Sequence, residues 1–176
     1  SSQGACELSR NRQTRRERST GSCKMCPHVG KLVRCHIIPN SLYKPLLGTS
    51  SSYRVVTTAK GRHGFTASTG IFDSKIVCVD CERRFSTWDT YAATFFRDRD
   101  WSTSPAVPSS DGIVIRTTEF DYAKLKLFIL SLLWRANATT HPIFEQVVLD
   151  QSQEMELRTL ILSKNPGTCA QFAVIL

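Results

Sequence analysis

CKMC, residues 23–26, and IVCVDCERRFS, residues 76–86, each contain two cysteines in a C-x-x-C spacing, and these two stretches decide the fold. A C-x-x-C turn places two thiolates on one side of a metal ion, and two such turns complete a tetrahedral set at Zn–S distances near 2.3 Å. The sequence therefore predicts a structural zinc ion bound by Cys23, Cys26, Cys78 and Cys81.

The seven cysteines of the chain also allow another interpretation, in which the pairs form disulfides of a secreted domain. The odd count and the absence of a signal peptide favour reduced thiols. We therefore expect a reduced, cytoplasmic setting.

About fifty residues separate the two cysteine pairs, more than in an ordinary zinc ribbon, so a folded insert is expected between them. Its first part, residues 31–39, is rich in β-branched and apolar residues and predicts a strand that ends at Pro39. Residues 51–60 and 71–79 also have strand character, and the glycine-containing stretch between them suggests a hairpin connection. Residues 40–48 could form a helical turn.

The second cysteine pair opens a predicted helix over residues 79–98. Phe85, Trp88, Ala92 and Phe96 recur at spacings of three and four, which is the period of an amphipathic helix, and Asp80 could cap its start. The predicted order is strand, strand and helix, held together by zinc. The fold class is therefore α+β, with a ββα core.

His36 lies at the end of the first predicted strand, between the two cysteine pairs. Imidazole is suited to removing a proton from water at neutral pH, so His36 is a candidate general base. A zinc ligand or a hydrogen-bonded core residue is the alternative.

CKMC, RCHIIP at residues 34–39 and IVCVDCERRFS together resemble the pattern of HNH, or His-Me finger, endonucleases, written C-x-x-C, D-H-I-I-P and L-C-x-x-C-N-x-x-K or H. A closer resemblance is to a bacterial HNH-like branch with S-H-I-I-P, C-E-x-R-F-S and a later S-L-x-W-R, which SLLWR at residues 131–135 matches. The resemblance implies a ββα fold, structural zinc, His36 as the base and one catalytic divalent cation, Mg²⁺ or Mn²⁺, at the scissile phosphate.

The sequence departs from this pattern at the expected cation ligands. Cys35 replaces the aspartate before the histidine, Glu82 replaces the asparagine after the last cysteine, and Phe85 occupies the later Lys or His position. A thiol is a poor magnesium ligand. Glu82 and Asp89 share one helix face and could supply carboxylate oxygens instead, or they could merely cap or solvate the start of the helix.

A formal charge of +8, from 23 Lys+Arg against 15 Asp+Glu, indicates a polyanionic partner, most simply nucleic acid. The HNH resemblance implies that this nucleic acid is DNA. Arg34, Lys44, Arg83 and Arg84 are candidate phosphate contacts, or simply solvated charges. The longest apolar run, LFILSLLW at residues 127–134, is too short to span a bilayer, so no membrane role is expected.

The chain divides into four predicted regions. Residues 1–22 form a basic, disordered tail, residues 23–98 the zinc domain, residues 99–112 a loop, and residues 113–176 a mainly helical extension packing on the core. Helices are expected over residues 121–137 and 153–164, and the last eight residues have strand character. The predicted function is a metal-dependent endonuclease. The alternative, favoured by Cys35, is a catalytically degenerate zinc-dependent module that binds nucleic acid or protein.

Overall fold

The computed structural model describes residues 19–50, 52–56, 64–67, 69–110 and 112–174, apart from the side chains of residues 65 and 67. Residues 1–18 of the predicted basic tail therefore lie outside the described part. The strands are β1 (Thr20–Ser22), β2 (Val29–His36), β3 (Tyr53–Val55), β4 (Phe65–Ala67), β5 (Phe72–Cys78), β6 (Ala106–Ser109) and β7 (Gly112–Ile115). The helices are α1 (Asn40–Leu47), α2 (Val79–Ala93), α3 (Tyr122–Ala138) and α4 (Gln151–Ser163). The fold is mixed α and β with small antiparallel sheets.

The central sheet has the order β1-β2-β5, and all of its pairings are antiparallel. Leu32 pairs with Cys78 and His36 with Phe72, and the register shifts between Val33 and Cys35. Strand β5 leads directly into α2, while α1, β3 and β4 lie between β2 and β5 along the chain. Part of the predicted tail is ordered, since β1 pairs with β2.

The predicted hairpin between residues 51–60 and 71–79 is wrong. Strand β3 pairs with β4 in a separate two-stranded sheet, whereas β5 pairs with β2. The cysteines give the physical reason, because one pair immediately precedes β2 and the other closes β5. Bringing four thiols together places these two strands side by side. The short β4 then satisfies the hydrogen-bonding groups of β3.

Helix α1 is a full helix in place of the expected helical turn. Pro39 precedes it, and Pro45 lies inside it. Helix α2 begins at Val79, as predicted, but its cap and its last turn differ from the prediction. Its N-cap is Cys78, without a side-chain cap, and Asp80 pairs with Arg83 instead. The helix continues as a π-helical turn over Thr94–Asp98. A π turn holds more residues than an α turn, which shifts the inward face by one position and buries Phe95 in place of the predicted Phe96.

The region predicted as a loop, residues 99–112, contains β6, which forms an antiparallel hairpin with β7 at the end of that region; the residues of both strands are exposed. The predicted C-terminal helices are confirmed as α3 and α4. The side chain of Asp121 accepts a hydrogen bond from the Lys124 amide at the start of α3, and Asp150 forms a capping box at the start of α4. Residues 169–172 form turns, not the expected strand.

Helix α3 packs along α2 and joins the cysteine-bearing strands and α2 to α4 in one hydrophobic core. The rings of Phe85 on α2 and Trp134 on α3 lie 6.0 Å apart at the centre of this contact. Burial of such large aromatic side chains stabilises the junction by about 2 kcal/mol each. In the described part of the chain, no helix has the length and apolar character needed to cross a membrane.

Candidate metal centre and the surroundings of His36

The sulfur atoms of Cys23, Cys26, Cys78 and Cys81 all lie within 4.8 Å of one another. The Sγ atoms of Cys23 and Cys81 are 3.8 Å apart, and those of Cys26 and Cys78 are 3.7 Å apart. A tetrahedron with Zn–S bonds near 2.3 Å has S···S edges of about 3.8 Å. The four thiols are free, so they form no disulfides. This cluster could hold a metal ion such as zinc.

Backbone hydrogen bonds hold the two cysteine turns against each other. The amide of Cys23 donates to the His28 carbonyl at 2.8 Å, which closes the first turn, and the amide of Lys24 donates to the Ile76 carbonyl at 2.8 Å, which ties this turn to β5. The amide of Cys78 donates to the Cys23 sulfur at 3.4 Å. Burial, and to a smaller extent the neighbouring thiols, raise the pKa of Cys81. A bound cation would reverse that effect by stabilising thiolates.

His36 is the last residue of β2, and its ring is half-buried with Nε2 2.9 Å from the carbonyl oxygen of Thr69. A carbonyl only accepts hydrogen bonds, so Nε2 carries the hydrogen of this bond. In the neutral imidazole the lone pair is then on Nδ1. The Phe72 ring meets the imidazole edge-on, with centroids 6.1 Å apart. The contacts therefore select one tautomer of His36.

The electrostatic surroundings of His36 favour the neutral imidazole. Burial lowers its pKa, and the positive charges of Arg34 and Arg135 lower it further. The hydrogen bond to Thr69 and the carboxylate of Asp89 act in the opposite direction. The net effect places the pKa below its ordinary value, so His36 is unprotonated and can accept a proton at neutral pH.

Asp89 was expected to act as a cation ligand or a solvated charge, and the structure instead pairs it with Arg135 of α3. The Nη2 atom of Arg135 lies 2.7 Å from Oδ1, and Nη1 lies 3.0 Å from Oδ2. Arg135 has no exposed surface, and the side chain of Asp89 is 15% exposed. Burial raises the pKa of Asp89 while Arg135 opposes that effect. Both oxygens are engaged, which disfavours cation binding by Asp89.

Glu82 lies beside Cys35 in the interior. Burial raises the pKa of the Glu82 carboxyl, and its Oε2 atom is buried without a hydrogen-bond partner among the described residues. Cys35 is fully buried, and this burial, with the charge of Glu82 next in importance, raises the pKa of its thiol far above the usual range. The protonated thiol is a poor replacement for the aspartate of the HNH pattern, because soft sulfur binds a hard cation such as magnesium weakly.

Within the described ranges the four cysteines are the cluster with metal-ligand geometry. His36, Glu82 and Asp89 do not bring three ligand atoms together in a second cluster of that kind.

Comparisons with models of known protein families, with curated proteins and with solved structures found no match.

The predicted phosphate contacts lie in different environments. Lys44 lines a polar groove of about 350 Å³ between α1 and α2, which Asp89 also borders. Arg34 is exposed, with its guanidinium 3.6 Å from the centre of the Phe72 ring and donating to the Thr69 hydroxyl. Lys44 and Arg34 thus lie near the residues that surround His36.

Two further arginines lie along α2. Arg83 is exposed and forms a 3.5 Å ion pair with Asp80. Arg84 is half-buried, and its Nη1 atom has no hydrogen-bond partner within the described residues. Arg135 was not identified as a site residue from the sequence; the available signal was its position directly after the apolar run at residues 127–134.

Proposed function

We propose that this protein is a metal-dependent endonuclease that hydrolyses phosphodiester bonds in nucleic acid, most simply DNA, with His36 as general base. The observation that supports this most strongly is the hydrogen bond from Nε2 of His36 to the Thr69 carbonyl. It leaves Nδ1 as the basic nitrogen of a neutral imidazole in a strand beside the cysteine cluster. Free thiols in that cluster also support a reduced, cytoplasmic setting and zinc as the structural ion.

In the proposed reaction, Nδ1 of His36 accepts a proton from water while the water oxygen attacks phosphorus and the bond to the leaving oxygen breaks. The lowered pKa of His36 keeps this nitrogen unprotonated before the reaction. Arg34 is near enough to affect the imidazole electrostatically and would attract the phosphate. The exposed Lys44 would contact the nucleic-acid backbone along the groove between α1 and α2.

Mg²⁺ or Mn²⁺ would stabilise negative charge on the leaving oxygen when bound. Magnesium in proteins is commonly held by one or two carboxylates together with substrate phosphate and water. Glu82 fits this description, because its buried Oε2 atom has no hydrogen-bond partner among the described residues. Asp89 fits poorly, since Arg135 engages both of its oxygens.

The test is nicking of supercoiled plasmid by zinc-loaded protein with added Mg²⁺ or Mn²⁺, with chelator controls. His36→Ala is compared with His28→Ala, which alters an exposed histidine near the cysteine cluster. The proposal expects cleavage by the wild type and by His28→Ala, and loss of cleavage in His36→Ala at unchanged zinc content. Equal cleavage by the two alanine variants would refute the role of His36.

A second candidate function is a zinc-dependent module, derived from a nuclease, that binds nucleic acid or protein without cutting. The protonated Cys35 thiol and the pairing of Asp89 with Arg135 favour it, because both remove ligands from the expected cation site. Its signature is binding of DNA or RNA with a steep salt dependence and no cleavage of either. The plasmid experiment, repeated with single-stranded and RNA substrates, separates the two functions.

A further inference from the structure

Arg135 connects the C-terminal extension to the end of the histidine-bearing strand. Its Nη1 atom donates to the backbone carbonyl of His36 at 2.9 Å, across 99 positions of sequence. The same guanidinium forms the two-pronged contact with Asp89, and its Nε and Nη2 atoms donate to the carbonyl and hydroxyl of Ser131 at 3.1 and 3.0 Å. One buried cation thus joins β2, α2 and α3.

We propose that Arg135 is a positioning residue for His36, holding the end of β2 so that the imidazole is fixed for proton transfer. This inference rests on the proposed nuclease function. It also extends the site beyond the ββα unit, because the residue that fixes the base comes from α3.

The position of His36 in the sheet explains why such an anchor is needed. The register shift between Val33 and Cys35 disturbs the ladder just before His36, and β2 ends at His36. The next amide, that of Ile37, bonds to the Ile71 carbonyl at 3.0 Å. The His36 carbonyl is held by α3 and its ring by the Thr69 carbonyl, so the residue is fixed from two sides.

The chemistry of the contact requires an arginine. A guanidinium presents several donors in one plane and can serve a carboxylate and a carbonyl together, whereas a lysine ammonium acts as a point charge. The buried charge is offset by Asp89 and by the face of Phe85, whose ring centre is 5.0 Å from Cζ. Apolar residues of similar volume would often stabilise such a buried site as well as an ion pair does. The pair therefore fits a role in geometry better than a role in stability.

Four groups surround the His36 ring and must be separated in a test. They are Arg34 on the same strand, the Thr69 carbonyl before β5, Asp89 on α2 and Arg135 on α3. Arg135→Lys keeps the positive charge and removes the fork, so it changes position more than electrostatics. Lys126→Met is the matched control, because Lys126 is a buried cation of the same helix that donates to the Thr168 and Gln171 carbonyls, away from His36.

The experiment measures kcat and KM for plasmid cleavage and, independently, the ¹⁵N resonances of the His36 ring at neutral pH. For Arg135→Lys we expect kcat to fall ~10- to 100-fold, as misplacement of a catalytic group predicts, with little change in KM. The ring resonances should move away from those of the pure Nε2–H tautomer. Lys126→Met should lower the melting temperature and leave both kcat and the His36 resonances unchanged.

The two readouts distinguish failure of this inference from failure of the nuclease proposal. If the wild type cuts nothing, the nuclease proposal fails, and the resonances alone decide whether Arg135 fixes the ring. Unchanged kcat and unchanged resonances in Arg135→Lys would overturn the inference. If that variant does not fold, Ser131→Ala replaces it, since it removes the hydroxyl that accepts a hydrogen bond from Nη2 of Arg135 and leaves the charges around His36 unchanged. A smaller change in the same direction supports the inference, and wild-type resonances overturn it.

Discussion

Replacing Cys78 by serine should remove the metal and much of the stability of the protein. The sulfur of Cys78 lies 3.7 Å from that of Cys26, as an edge of the zinc tetrahedron requires, and its side chain is 1% exposed. A serine hydroxyl at this position is a far weaker zinc ligand than a thiolate. The metal ligand would be lost at the point where β5 passes into α2, the helix that carries the buried Phe85 and Trp88.

The magnitude follows from what zinc contributes to folding. A structural zinc ion supplies about 10–16 kcal/mol of apparent binding free energy at neutral pH, and this appears as folding free energy. Removing one of the four ligands should lower the free energy of unfolding by at least a quarter of that value, ~2.5–4 kcal/mol. Domains of this size are stable by about 5–15 kcal/mol, so a loss of this size is a large fraction of the total and should clearly lower the urea midpoint of Cys78→Ser.

The assay combines zinc content after gel filtration, cobalt substitution followed by thiolate charge-transfer absorption, and urea unfolding. Cys169→Ser is the matched control, because Cys169 is an exposed free thiol outside the cluster. We expect the control to retain stoichiometric zinc and the wild-type urea midpoint. If Cys78→Ser also retained zinc, with a midpoint equal to that of the control, the tetrahedral zinc site would be wrong.

Three further predictions concern the surroundings of His36 and the C-terminal segment. The lowered pKa of His36 means that the unfolded chain takes up this proton first as the pH falls. Stability should therefore decrease below about pH 6.5, the ordinary pKa of histidine, and urea unfolding of His36→Gln should show a smaller decrease. Lys126→Met leaves the Thr168 carbonyl without its buried donor and should cost ~1–3 kcal/mol, measured by thermal unfolding; no change in melting temperature would contradict the contact. Cys35→Asp places a carboxyl next to Glu82 in the interior and should destabilise by ~1–3 kcal/mol without increasing cleavage, whereas a gain in Mg²⁺-dependent cleavage would show that the cation site needs only this aspartate.

The features that sequence predicted best are those fixed by local chemistry. The spacing of the cysteine pairs predicted the four-thiol cluster, because a C-x-x-C turn has little freedom in where it places its sulfurs. The largely apolar stretch at residues 121–137 predicted α3 to within one residue at each end. The residues that make up each C-x-x-C pair, or each apolar stretch, lie close together in sequence, so such a signal can be recognised without knowing the tertiary contacts.

The features that sequence missed depend on tertiary contacts. The exchange of Phe96 for Phe95 follows from a π-helical turn, which has no signature in the spacing of apolar residues. The sequence predicts that residues 71–79 pair with residues 51–60, because strands that follow each other in sequence usually pair, whereas β5 pairs with β2. The cysteine spacing could have predicted the β2–β5 pairing, because a four-thiol cluster brings the strands next to it together.

Arg135 shows most clearly how a site residue can be visible in sequence and still be misread. The apolar run of α3 is bounded by Lys126 and Arg135, which in sequence look like the polar ends of a buried segment. Both side chains are instead almost fully buried and point to tertiary partners. A charge inside a protein requires a hydrogen-bonded partner, so each of these cations implies an acceptor elsewhere in the chain. Lys126 meets backbone carbonyls near the C-terminus, whereas Arg135 meets Asp89 and the end of the His36 strand. Helix α3 of the C-terminal extension therefore supplies a buried cation that bonds to the backbone of His36.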